Sequence, residues 1–311
     1  MSLYKTWHSM TQRVANSDFA TRTLPPILTT VGNYAELMRL HKPIGIFLLL
    51  WPTLWALWLA SYGHPNEHVF VVFVLGVVLT RSAGCVINDF VDRDFDARVQ
   101  RTKDRPLANK RLEPAEAIIV FVALSLAALA LVMTLDSLTL WLALAGAAMI
   151  VSYPFFKRFF VLPQAYLGAA FSWSIPMAYA AQTGAVPRFA WLLFIANILW
   201  TTAYDTMYAM VDREDDLKIG IKSSAILFGD AECAMTGLMQ AMTLFALLLI
   251  GLDMQLGYWY YLGLVGAALF AVYQQVLIAD REPQACLRAF LNNNYFGLSV
   301  FAGIALHFHF A

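Results

Sequence analysis

Charge is scarce in this chain. Asp, Glu, Lys and Arg make up 14% of its 311 residues, against about 25% in an ordinary soluble domain. With 60% hydrophobic residues and a mean hydropathy of +0.61, too few polar side chains remain to cover a surface facing water on all sides. Net charge is also missing. The 21 basic residues balance the 21 acidic ones, so the basic excess expected of a nucleic-acid binder is absent. Cysteine is limited to Cys85, Cys233 and Cys286. They are odd in number, far apart and set in apolar runs, which excludes a disulfide framework and reads as small buried residues. No apolar core followed by a cleavage-type site succeeds Met1, so no secretory signal is expected. Residues 19–38 mix apolar and polar side chains and are expected along a membrane surface, with Pro25-Pro26 interrupting any helix there.

What is present is a series of long apolar runs. A membrane-crossing helix needs about 20 predominantly apolar residues. Nine segments qualify, near 44–61, 68–88, 115–135, 138–156, 164–182, 189–211, 232–252, 257–279 and 288–310. Lipid offers no partner to unpaired backbone groups, so the expected fold is an all-α, polytopic bundle of nine transmembrane helices. Residues 1–34 form a cytoplasmic extension and 35–311 the transmembrane domain.

The few basic residues are lopsided. With a cytoplasmic N-terminus, one side carries Lys5, Arg13, Arg22, Arg39 and Lys42, then the group from Arg93 to Arg111, Lys157 and Arg158, Arg213, Lys218 and Lys222, and Arg281 and Arg288. The opposite loops hold only Arg188. The positive-inside rule then places the C-terminus outside. Lys110, Arg111, Arg281 and Arg288 read as ordinary topology anchors.

The acids are concentrated as well. Nine of the 21 lie in two stretches, Asn88-Asp89-Phe90-Val91-Asp92-Arg93-Asp94-Phe95-Asp96 and Asp205 through Asp216. Each contains Val-Asp-Arg with another Asp four residues after the central one, so Asp92 corresponds to Asp212 and Asp96 to Asp216. Each ends the second helix of a four-helix direct repeat, with the ninth helix added. Residues four apart share a helix face. Asn88, Asp92 and Asp96 therefore form one stripe, Asp212 and Asp216 another. Crowded carboxylates need a cation between them, and an oxygen-only set without His or Cys favours Mg²⁺. Mg²⁺ usually takes one or two carboxylates and completes its shell with water and substrate phosphate. Together the two stripes suggest a metal-bridged diphosphate. Neighbouring Arg98, Arg101, Lys103, Arg105, Lys157, Arg158, Lys218 and Lys222 supply phosphate-type partners.

Arg81 lies inside the second apolar run, seven residues before Asn88, where an unpaired charge is expensive. It is a candidate for a substrate carboxylate or for a structural ion pair. Asp205 sits in the same relation to Asp212, as a metal-site helper or as the partner of a base. Phe90, Tyr153, Phe156, Trp173, Tyr204 and Tyr208 stand near the clusters, either as packing or as aromatic faces for a carbocation. His64, His68, His307 and His309 map to the outer face, away from this chemistry.

The paired acidic motifs resemble the signature of the UbiA superfamily of intramembrane aromatic prenyltransferases. Further stretches are similar to its 4-hydroxybenzoate polyprenyltransferases of ubiquinone synthesis. These are Lys42-Pro43-Ile44-Gly45, Leu48 through Ala56, Arg105-Pro106-Leu107, Tyr153-Pro154-Phe155, Gly168 through Pro176, Tyr204 through Asp212, Ala225 through Gly229, and Asn292-Asn293-Asn294-Tyr295. Residues 35–310 carry the resemblance; His41 and Ser224 depart from it. It implies a nine-helix bundle around a central cavity open to the bilayer, with both acidic motifs on the cytoplasmic side. Asn88, Asp92, Asp96, Asp212 and Asp216 would hold Mg²⁺ and the diphosphate of a polyprenyl donor. Arg101, Arg105, Lys157, Arg158 and Lys222 would neutralise charge, and Tyr153 would border the substrate. The implied reaction alkylates 4-hydroxybenzoate ortho to its hydroxyl, in a bacterial inner membrane, with Asp205 a candidate aid to proton loss.

Two other classes also place acids in helical membrane bundles. A transporter would carry them deep in broken helices, whereas here they gather at one interface. A CDP-alcohol phosphotransferase would need Gly after its second Asp, and Asp96-Ala97-Arg98 lacks it. Within the superfamily, menaquinone-, haem- and chlorophyll-type acceptors remain alternatives.

Overall fold

The computed structural model describes residues 26–97, 102–220 and 222–311, and for 26–29, 157, 158, 215 and 219 the backbone alone. Among the described residues there are helices and turns and no strand. The first described helix, α1 (Pro26–Leu37), begins at the second residue of the Pro-Pro pair, where a missing N–H costs nothing. Then come α2 (Ile44–Ala60), α3 (Glu67–Asp96), α4 (Pro114–Val132) and α5 (Ser137–Phe159). They are followed by α6 (Pro163–Ser172), α7 (Ser174–Thr183) and α8 (Arg188–Ile219). A short α9 (Ser224–Phe228) and one 3₁₀ turn lead into α10 (Glu232–Asp253), α11 (Tyr258–Ile278) and α12 (Pro283–Phe310).

The helix starts are written in the sequence. The Asn66 side chain accepts from the Val69 amide at 3.2 Å and starts α3. Pro114 opens α4 inside a Glu113–Glu116 capping box. Asp136 accepts from the Thr139 amide at 3.0 Å and starts α5. Gly220 ends α8 at φ 72°, a left-handed conformation natural to glycine.

Two outcomes differ from the hydropathy reading. The fifth apolar segment is two helices, because Pro176 has no N–H to give the carbonyl of Ser172 and the chain breaks at Trp173. The second and sixth segments run past their apolar windows, so α3 and α8 carry both acidic motifs as continuous helix. Among the described residues, five stretches are long and apolar enough to cross a membrane: α3, α4, α5, α11 and the one from Ser224 to Asp253; α2 is apolar but shorter. Leu126, Trp141 and Phe245 are 60%, 70% and 61% exposed on these outer faces, which suits lipid and not water.

Inside, Trp55, Trp200 and Phe296 stack in a chain with ring centroids 5.2 Å apart, joining α2, α8 and α12. Helices α11 and α12 meet backbone to backbone at Gly263 and Gly303, where a Cβ on Gly263 would lie 2.7 Å from the Gly303 Cα. Close approach through small residues compensates for the weak hydrophobic drive between helices in lipid.

Candidate active site

A cavity of about 1570 Å³ lies between α2, α3, α5, α8 and α12 and continues to α4. Its polar end is lined by Arg39, Asn88, Asp89, Arg105, Asp205 and Arg288. Arg81, Tyr153, Tyr204 and Tyr208 line it as well, with an apolar stretch formed by Leu124, Ala128, Ala143, Ala147 and Ile150. Helices α4 and α5 both border it, yet they barely touch although one tight turn joins them. The apolar part of the cavity therefore runs between two helices whose outer faces suit lipid.

The first motif is set by α3. Asn88 lines the cavity, and Asp92 and Asp96 follow one and two turns beyond it, both buried. Asp96 accepts from Arg105 at 2.6 Å. Asp89, 2% exposed, accepts from Arg105 at 3.0 Å and takes both of its oxygens to one nitrogen of Arg39 at 2.8 Å. Sequence reasoning quoted Asp89 without a role. In the fold it is the buried anchor that holds Arg39 and the loop bearing Arg105 against the motif.

The second motif is set by α8. Asp205 lines the cavity, and Asp212 and Asp216 lie two and three turns further on, half-buried. Tyr153, from α5, lines the same cavity as Asn88 of α3 and Asp205 of α8, which places the two motif helices around one space. No three His, Cys, Asp or Glu side chains among the described residues converge as a ready metal cage. The donors nevertheless suit Mg²⁺, which asks for one or two carboxylates and leaves its other positions to water and phosphate.

Arg81 is held by shape. Its guanidinium lies over the Phe171 ring, 5.7 Å from the centroid. Its Nε is buried without a hydrogen-bond partner among the described residues. A Cβ on Gly45 would overlap this side chain, approaching Cζ to 2.8 Å. Sequence reasoning quoted Gly45 in a motif without a role; only the helix crossing shows what its missing side chain makes room for. His41 also borders the cavity, and burial together with the neighbouring Lys42 charge lowers its pKa from the usual 6.5.

The other expected residues separate. Lys222 lies outside the cavity lining and donates to the Phe159 carbonyl at 3.4 Å, at the end of α5. Lys157 and Arg158 end that helix, but their side chains, like Arg101 altogether, lie outside the described residues. Tyr153, Trp173, Tyr204 and Tyr208 border the cavity. Phe156 instead stacks on Tyr166 at 4.5 Å, and Phe90 packs beside α1. Of the basic residues read as anchors, Arg288 lines the cavity, Arg111 pairs with Glu36 at 2.7 Å and Arg281 with Glu232 at 2.7 Å. His68 bonds Thr134 and His307 accepts from the Gly257 amide.

Known proteins match this arrangement. The model of the UbiA prenyltransferase family matches residues 49–300. A protein named 4-hydroxybenzoate octaprenyltransferase from Nitrosococcus oceani is 59% identical over 275 residues, covering 88% of this chain and 96% of its own length. One of the same name from Aeromonas salmonicida is 57% identical, covering 88% and 95%. Among solved structures, the apo form of a UbiA homolog from Aeropyrum pernix K1 superimposes with a TM-score of 0.75 at 25% identity, over 84% of this chain and 97% of that one. A UbiA homolog from Archaeoglobus fulgidus bound to GPP and Mg²⁺ gives 0.65 at 18% identity, over 88% and 99%, and shares the fold. With a family match over most of its length and relatives more than half identical, the chain belongs to the UbiA prenyltransferase family.

Proposed function

We propose that this integral membrane protein transfers a polyprenyl group from polyprenyl diphosphate to the ring carbon ortho to the hydroxyl of 4-hydroxybenzoate, releasing diphosphate, in ubiquinone biosynthesis. The observation that carries the reading is near-full-length identity of more than half to relatives named for this reaction, whose names specify an octaprenyl group. The site is consistent with it. An acidic and basic end suits a diphosphate, an apolar stretch between α4 and α5 suits an isoprenoid tail, and a buried guanidinium without a hydrogen bond at Nε suits an aromatic carboxylate.

In this reading nine membrane segments surround the cavity, with the acidic ends of α3 and α8 cytoplasmic and the C-terminus outside a bacterial inner membrane. Asn88, Asp92, Asp96, Asp212 and Asp216 would hold Mg²⁺ and, through it, the diphosphate. When bound, the metal draws electron density from the leaving diphosphate. Arg105, with Arg101, Lys157 and Arg158, neutralises the charge that develops as the allylic carbon–oxygen bond breaks and its electron pair leaves with diphosphate. Tyr153, Tyr204 and Tyr208 present aromatic faces to the allylic cation. Arg81 holds the 4-hydroxybenzoate carboxylate, so that the carbon ortho to the hydroxyl meets the cation. A π pair of the ring forms the new carbon–carbon bond, and the proton on that carbon is then lost, with Asp205, which lines the cavity, a candidate acceptor. The test incubates membranes bearing the protein with 4-hydroxybenzoate, octaprenyl diphosphate and Mg²⁺. A product with the mass of octaprenyl-4-hydroxybenzoate is expected; its absence, with correctly folded protein, refutes the assignment.

A further inference from the structure

The second acidic motif is backed by a buried ion cluster that the reaction itself does not use. Glu232, at the start of α10, is fully buried. Its Oε1 accepts from Arg281 at 2.7 Å and from Arg213 at 3.2 Å, while Oε2 has no partner among the described residues. Arg281 also donates to the Asp230 carbonyl at 2.8 Å and stands at φ 58°, an uncommon conformation for a non-glycine residue. Three segments are thus tied to one carboxylate: the end of α8, the turn before α10 and the turn before α12. The first motif also has a buried carboxylate anchor, but there the guanidinium is shared: Asp89 receives Arg39, at φ 59°, and Arg105, which donates to Asp96 as well at 2.6 Å.

Arg213 directly follows Asp212 and lies three residues before Asp216, within side-chain reach on the same helix. A guanidinium there competes with a metal ion for the same carboxylates unless something else holds it. We infer that Glu232 is a positioning residue for the second motif: by binding Arg213 against the base of α10, it keeps that guanidinium away from Asp212 and Asp216. This rests on the reading of those two residues as metal ligands. It differs from a plain structural pair in one respect: the harm done by losing Glu232 comes from the positive charge it leaves behind.

The test uses the purified full chain in detergent with inorganic diphosphate. Mn²⁺ is titrated in, and the free ion is read by electron paramagnetic resonance. Glu232→Gln should weaken Mn²⁺ binding by about two- to fivefold, the worth of a partly exposed ion pair. Adding Arg213→Gln to it should restore the parent affinity, and Arg213→Gln alone should leave it unchanged. In the transfer assay, Glu232→Gln should raise the half-saturating Mg²⁺ concentration by the same factor and keep the rate at saturating Mg²⁺. Should Glu232→Gln not fold, Arg213→Lys carries the test. It keeps the charge but loses the planar fork that grips the carboxylate, so it should bind Mn²⁺ more weakly than Arg213→Gln. Unchanged affinity in folded Glu232→Gln overturns the inference, as does a double variant without recovery or an Arg213→Gln worse than Arg213→Lys. Asp212→Ala separates the levels: if it leaves Mn²⁺ binding intact, the metal-site reading itself fails.

Discussion

Replacing Gly45 with alanine tests whether Arg81 is positioned for the aromatic acid. The added methyl would stand 2.8 Å from the Arg81 Cζ and 2.5 Å from Nη2. Carbon–carbon contact is optimal near 3.5–4.0 Å, so the guanidinium has to move by about an ångström. A hydrogen bond to a charged group contributes about 1.5–3 kcal/mol, or roughly 10- to 150-fold in binding. Gly45→Ala should raise KM for 4-hydroxybenzoate by about tenfold, the low end of that range. Arg81→Ala should raise it further, and KM for polyprenyl diphosphate should stay within about twofold in both, because uniform binding is lost for one substrate only. Gly45 lies in the first turn of α2, so the unfolding midpoint is measured alongside to separate an altered Arg81 position from a disturbed helix start. Steady-state kinetics with each substrate varied in turn, together with an unfolding midpoint in detergent, decide the matter. A rise confined to the diphosphate donor would place Arg81 on the diphosphate side. No change in either KM would mean that the guanidinium is not at the acceptor.

Chelation should abolish transfer and added Mg²⁺ should restore it; Asp92→Ala and Asp212→Ala should remove turnover while the protein still elutes as a folded species, and activity persisting in excess chelator refutes the metal assignment. A cysteine appended after Ala311 should react with an impermeant reagent from outside intact cells; reaction only after permeabilisation would overturn the nine-span topology. His41 has its pKa lowered, so the unfolded chain binds more protons than the folded one between that value and 6.5. Its contribution to stability is complete above 6.5 and lost as pH falls through that window. His41→Asn should flatten the pH dependence of the unfolding midpoint there, and an unaltered slope assigns it to another group.

Most helix positions were legible in the sequence for a local reason, and the acidic stripes are proposed on the same local ground. In lipid a chain must satisfy its own backbone hydrogen bonds, so apolar length alone marks a helix, and a four-residue spacing alone marks a face. The continuity of α3 and α8 through Asp96 and Asp216 follows from the same local rules once Gly220 and the helix starts are read. What stayed hidden depends on which helices cross and how closely. Asp89 and Asp92 are equally acidic in the sequence, yet only the placement of Arg39 and Arg105 gives Asp89 two guanidinium partners. Gly45 and Gly168 look alike until one is found beside the Arg81 guanidinium and the other against the Ile198 backbone. Glu232 carries no motif at all, and its burial between Arg213 and Arg281 exists only because α8, α10 and the turn before α12 converge. Hydropathy and spacing are properties of one segment. The partner that a charge finds, and the space that an absent side chain leaves, are properties of two segments far apart in the chain, and tertiary packing alone brings those together.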